Sequence, residues 1–102
     1  MGQYMKVATA GEVSPGEARL VEAGGKQIAL FNVDGAYFAL DNTCTHRGGP
    51  LAEGFIEGSA VTCPWHGAQF DIKSGQVMRP PAPQGVTLYP TRIVGEDVEV
   101  EV

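Results

Sequence analysis

The sequence predicts an all-β protein: a small antiparallel β barrel or sandwich with a central insertion. Three observations carry this. The 102-residue chain holds 14 glycines and 7 prolines, too many helix breakers for long helices. Short runs of β formers alternate with turn dipeptides along its length. No segment fits the 3.6-residue apolar period of an amphipathic helix. The length is that of one domain, and 43% hydrophobic against 19% charged residues is the balance of a folded chain. A core this small gains from a bound metal or cofactor.

The elements follow in order. Ala18 to Glu22 precedes a turn at Gly24-Gly25. Gln27 to Val33 is rich in β formers and runs into Asp34-Gly35, a strong two-residue hairpin signal, so Ala36 to Leu40 is the returning strand. Phe55-Ile56 and Ala60 to Thr62 flank Gly58-Ser59 as a second hairpin. Gln69 to Ile72 and Gln76 to Met78 flank Ser74-Gly75 as a third. Val86 to Tyr89 and Arg92 to Val94 form an interrupted run, with Pro90 marking an edge or bulge. After a turn at Gly95-Glu96, Val98, Val100 and Val102 alternate with Glu99 and Glu101, which places the acidic side chains on the wet face of a last strand. Phe38, Leu40, Phe55, Phe70 and Leu88 are assigned to the core.

Charge and hydropathy exclude several roles. The net charge is −5, with 7 basic against 12 acidic residues and no basic cluster, so a phosphate backbone is excluded as partner. No run reaches the length of a membrane span. The start, Met1 to Lys6, lacks the apolar core of a secretory signal, and Val7 stands where a myristoylation signal wants Ser or Thr. The expectation is a cytoplasmic protein.

Both cysteines and both histidines fall within 23 residues: Cys44-Thr45-His46, then Cys63-Pro64-Trp65-His66, with 16 residues between the pairs. Such pairing reads as a metal site. The hairpins explain how the pairs meet. The chain runs out along Phe55-Ile56, turns at Gly58 and returns to Cys63, and the next hairpin brings Arg79 and Pro80-Pro81-Ala82-Pro83 to the same end. Loops 43–51, 63–68 and 79–83 therefore converge, the last stiffened by proline. Two thiolates and two imidazoles suit tetrahedral zinc. They also suit a [2Fe–2S] cluster in which the thiolates take one iron and the imidazoles the other.

Cys44-Thr45-His46 and Cys63-Pro64-Trp65-His66-Gly67 resemble the two cluster-binding boxes of Rieske proteins. Spacing, order, the Gly after the second His and the Pro-rich loop agree, and the resemblance covers the whole chain. It implies one Rieske [2Fe–2S] cluster, with Cys44 and Cys63 on the inner iron and His46 and His66 on the outer one. It implies a single domain, 1–102, with a cluster-binding subdomain of about residues 42–83 inserted in a β scaffold of 1–41 and 84–102. The two further cysteines of respiratory Rieske proteins are missing, and the membrane anchor of those proteins is not expected here. Gly49 and Trp65 stand where the cysteines would be, and Ala68 and Phe70 where a Ser and a Tyr donate hydrogen bonds to sulfur.

The chain is thus similar to the soluble ferredoxins of aromatic-ring dioxygenase systems. The resemblance implies a monomeric electron carrier, not an enzyme, that shuttles electrons from a ferredoxin reductase to a terminal oxygenase. Two alternatives stand beside it: the small subunit of an assimilatory nitrite reductase, and a structural zinc-binding module.

Imidazoles in place of thiolates leave the cluster less negative, so Rieske potentials lie at roughly −150 to +300 mV. Lacking the donors of Ser and Tyr, this chain is expected toward the low end. Trp65 reads equally as cover for the cluster or as ordinary packing. Arg47 and Arg79 read first as solubilising and second as a steer for an acidic partner face, and Asp41-Asn42 read first as turn residues and second as a cap or brace of the first loop. In the ligand set that the resemblance implies, each imidazole binds iron through one nitrogen and is expected to expose the other to water, so the reduction potential should depend on pH. Voltammetry giving a flat potential from about pH 6 to 11 would contradict this.

Overall fold

The computed structural model describes residues 2–44, 49–65, 67–79 and 84–102. Eleven strands follow one another among them: β1 (Tyr4–Thr9), β2 (Ala18–Ala23), β3 (Lys26–Val33), β4 (Ala36–Asp41), β5 (Phe55–Glu57), β6 (Ala60–Thr62), β7 (Gln69–Asp71), β8 (Val77–Arg79), β9 (Leu88–Tyr89), β10 (Thr91–Val94) and β11 (Asp97–Glu101). One 3₁₀ turn, Leu51–Glu53, precedes β5. All pairings between named strands are antiparallel, and they form three sheets ordered β1-β11-β10, β2-β3-β4-β9 and β5-β6-β7-β8.

The predicted hairpins are present. Asp34 (φ 53°) and Gly35 (φ 93°) both lie in the left-handed region, as a two-residue turn matching the strand twist requires. Phe31 then pairs with Phe38 and Ile28 with Asp41. β5 pairs with β6 through Ile56 and Val61, and β6 with β7 through Val61 and Phe70.

Three departures are informative. β1 was not anticipated, because Tyr4-Met5-Lys6-Val7-Ala8-Thr9 carries no clean alternation. It exists through its partner β11, with Met5 opposite Val100 and Ala8 opposite Val98 across a register shift. Val86 and Thr87 lie outside β9, since only Leu88 and Tyr89 face Leu40 and Ala39. Of the residues assigned to the core, Phe55 is 69% exposed and Leu88 40% exposed: β5 is an edge strand and its outward face meets no layer.

β3 is the centre of the fold. Ile28, Leu30 and Phe31 are fully buried and Val33 nearly so. Because successive side chains point to opposite faces, β3 serves two cores. Ile28 and Leu30 pack with Val98, Val100 and Ala8 of the β1-β11-β10 sheet. Ala29, Phe31 and Val33 pack with Val61, Phe70, Ile72, Leu51 and both cysteines. The β2-β3-β4-β9 sheet is thus the middle of three layers, with the sheet that follows the first cysteine on one side.

Residues 42–87 leave and rejoin this middle sheet at neighbouring points. Leu40 pairs with Leu88, and the Asp41 amide donates to the Thr87 carbonyl at 2.9 Å. Their ends are therefore already closed by strand pairing, which keeps the entropic cost of so long an excursion small.

Asn32 is a buried polar residue in β3, 4% exposed. Its Nδ2 donates to the Val13 carbonyl at 2.8 Å and its Oδ1 accepts the Gly35 amide at 2.8 Å. It ties the β2-side loop to the β3–β4 turn. Asn32→Ala leaves a buried carbonyl and a turn amide without partners, so stability should fall by about 1–3 kcal/mol in urea denaturation.

Candidate metal centre

Cys44 and Cys63 stand at the heads of two loops built alike. β4 ends at Asp41, whose Oδ1 accepts the Thr43 amide at 3.0 Å. Thr43 then bridges Pro50, and the Cys44 amide donates to the Gly49 carbonyl at 2.9 Å. In the second loop β6 ends at Thr62, which pairs with Gln69, and the Cys63 amide donates to the Ala68 carbonyl at 2.7 Å. Each cysteine thus closes a loop on the carbonyl five residues further on. Strand pairing on both flanks fixes where each side chain leaves the backbone.

Asn42 braces the first loop. Its amide donates to Gln27 at 3.1 Å, its carbonyl accepts the Leu51 amide at 2.8 Å, and its Oδ1 accepts the Ala52 amide at 2.8 Å. At 5% exposure it pins both ends of the loop to the middle sheet. The sequence reads Asp41-Asn42 first as turn residues and second as a brace of the first loop, and the structure has the brace. No local pattern distinguishes a buried Asn with three tertiary bonds from a solvated one.

The two thiols meet in the inner core. Each cysteine is 2% exposed, and neither is in a disulfide. Burial pushes the Cys63 thiol up. The Trp65 backbone amide, which donates to its sulfur, acts the other way, and the Cys44 thiol in hydrogen-bonding contact raises it again. Leu51, Val61, Ala68 and Phe70 belong to the same buried cluster, so Ala68 and Phe70 offer the sulfurs only apolar side chains.

Gly49 is buried, and a Cβ there would lie 2.5 Å from Cys63 Sγ and 3.2 Å from Trp65 Cγ. Trp65 is 49% exposed. It is neither a full cover nor a core residue, but a ring at the boundary between the sulfurs and solvent. Arg79 pairs with Gln69, next to Ala68, and with Met78 (57% exposed) adds to the surface at this end. His46, His66, Arg47 and the Pro80–Pro83 loop lie outside the described residues. Among the described residues, no group of three or more metal-ligating side chains assembles.

Two buried thiols in contact, with a backbone amide aimed at one sulfur, form a pair that one metal ion can share. The amide offsets part of the burial that disfavours the charged sulfur, and the apolar side chains of the cluster exclude water.

Comparison with known proteins gives the family. A model described as the Rieske [2Fe-2S] domain matches residues 3–90. The chain is 39% identical over 99 residues to the biphenyl dioxygenase ferredoxin subunit of Pseudomonas sp. (strain KKS102), covering 96% of this chain and 91% of that one. It superposes on the Sphingomonas yanoikuyae B1 ferredoxin with a TM-score of 0.92 at 31% identity, covering 98% and 99% of the two chains. It also superposes on a chain in the complex of reduced oxygenase and oxidized ferredoxin in carbazole 1,9a-dioxygenase, with a TM-score of 0.90 at 28% identity, over 95% of this chain and 91% of that chain. The chain belongs to the Rieske [2Fe–2S] domain family. It is a ferredoxin-type electron carrier with one such cluster, and it catalyses no substrate reaction of its own.

Asn42→Ala removes the side-chain acceptor of the Ala52 amide and loosens the first loop where it meets the middle sheet. Iron should be lost to a chelator about tenfold faster than from the wild type, followed by bleaching of visible absorption.

Proposed function

We propose that Cys44 and Cys63 hold one iron of the cluster and His46 and His66 the other. We further propose that the chain carries single electrons from a ferredoxin reductase to the terminal oxygenase of a ring-hydroxylating dioxygenase system. The observation that carries this reading is the meeting of the two buried thiols at the heads of two identically closed loops. Residues of about 42–83 are then the cluster-bearing subdomain, within a single domain spanning 1–102. No helix among the described residues is long and apolar enough to cross a membrane, and we place the carrier in the cytoplasm as a monomer.

When bound, the cluster supplies one-electron oxidation and reduction. The chain's residues set the conditions. Cys44 and Cys63 provide thiolates and anchor the inner side to the core. The Trp65 amide, donating to Cys63 sulfur, stabilises added negative charge. Leu51, Val61 and Phe70 exclude water from the sulfurs. Trp65, Met78 and Arg79, exposed at the same end, form the surface that a redox partner meets. Electron transfer falls steeply with distance, so a partner has to dock at this end and not at the β1-β11-β10 sheet, which lies across the middle layer.

Relatives named as dioxygenase ferredoxin components support the carrier reading over a nitrite reductase small subunit. A chain similar to this one, in a complex of oxygenase and ferredoxin, supports direct docking with an oxygenase. The cluster named by the family model supports iron over a structural zinc.

Visible absorption and low-temperature EPR, before and after dithionite, test the centre. A red-brown protein whose reduced form gives a rhombic signal with low average g is expected. Substituting any one of Cys44, Cys63, His46 or His66 should abolish that signal. A colourless protein with stoichiometric zinc would overturn the reading. Ala68→Ser introduces a hydroxyl beside the sulfurs and should raise the midpoint potential. An unchanged or lower value in a spectroelectrochemical titration would count against the account of its low potential.

A further inference from the structure

We infer that Gly49 is a positioning residue for the cluster: its missing side chain is the contact point at which the two cysteine loops fit together. The inference rests on the assignment of Cys63 as a ligand.

Three observations converge on this residue. Its carbonyl accepts the Cys44 amide at 2.9 Å and so closes the first loop. A Cβ at Gly49 would lie 2.5 Å from Cys63 Sγ, well inside the about 3.5–4.0 Å at which non-bonded carbons rest. The same Cβ would lie 3.2 Å from Trp65 Cγ and 3.3 Å from Trp65 Cβ. One residue thus holds one cysteine by its backbone and faces the other by its bare Cα, against the ring at the solvent boundary.

The requirement for glycine here is steric. Gly49 is not among the glycines with positive φ, so its backbone conformation is open to any residue. Gly67, in the second loop, is the opposite case: φ is +75° and nothing lies within 4 Å of its would-be Cβ. Gly67 is needed for its backbone, Gly49 for the space it leaves. Neither Cys63 nor Trp65 can yield freely. The Cys63 amide is tied to Ala68, and its sulfur accepts the Trp65 amide. A methyl at Gly49 therefore pushes Cys63 sulfur away from that amide or opens the first loop at its Cys44–Gly49 bond. Either movement shifts a ligand and weakens a hydrogen bond that favours the reduced charge.

The test compares Gly49→Ala with Gly58→Ala in the cluster-loaded protein. Gly58 has φ +59° and an open surrounding, so its substitution strains a hairpin turn without touching the centre. Gly49→Ala should lower the midpoint potential and alter the EPR g values. It should also speed iron loss to a chelator about tenfold, while Gly58→Ala lowers the melting temperature and leaves the potential unmoved. Wild-type potential, g values and iron retention in Gly49→Ala would overturn the inference, as would an equal shift in Gly58→Ala.

If Gly49→Ala does not accumulate, hydrogen exchange by mass spectrometry on the wild-type protein decides. The Cys44 amide should exchange as slowly as the amides of β3, and exchange at the rate of an open loop would overturn the clamp. Cys63→Ser, measured in parallel, separates the two levels. If it keeps the wild-type spectrum, the ligand assignment itself has failed. If it loses the spectrum while Gly49→Ala keeps all wild-type properties, only the role of Gly49 has failed.

Discussion

Two backbone hydrogen bonds hold the centre together: Cys44 amide to Gly49 carbonyl, and Cys63 amide to Ala68 carbonyl. A buried cysteine brings its own amide into a dry environment, where an unpaired donor costs about 1–3 kcal/mol. Both loops meet that requirement in the same way, by turning back on themselves just after the cysteine. The turn does more than satisfy a donor. It spends four residues between donor and acceptor, and those four include the histidine of each pair. Burial of the thiol and the short spacing to the histidine are thus one constraint expressed twice.

The loops would have no fixed relation to each other without the middle sheet. The first grows from β4, and Asn42 pins both its ends there. The second grows from β6, whose Val61 packs with Ala29, Phe31 and Val33 of β3. β3 is buried on both faces, so the layer that positions the cysteines also completes the core against Val98 and Val100. Disturbing one core reaches the other through the backbone of a single strand. Such sharing suits a chain of 102 residues, in which a second independent core would not be affordable.

The electrostatics of the centre are spare. Its inner wall is apolar, with Ala68 and Phe70 fully buried in the cluster that holds both cysteines, and the Trp65 backbone amide donates to the Cys63 sulfur. The surface we propose for the redox partner combines the Trp65 ring with Met78 and Arg79, all exposed. The strongly acidic C-terminal strand sits on the far layer, its charge partly balanced by Lys6–Asp97 and Arg92–Glu99 pairs.

Chemistry and local turns were determined by the sequence alone. Cysteines and histidines paired in one short window point to a metal site without any fold. Asp34-Gly35 and the Val98–Val100 alternation specify a turn and a strand, because turn dihedrals and strand period depend on a few neighbouring residues. Tertiary structure decided what depends on distant partners. β1 exists because β11 pairs with it. Phe55 is exposed because no layer covers β5, though its apolarity reads as core. Asn42 became a brace only when Gln27, Leu51 and Ala52 were folded against it, and Gly49 a contact point only when the second cysteine loop met the first. Neither residue type carries a signal of that role, since a hydrogen-bond acceptor or an absent side chain acquires meaning only from what lies against it.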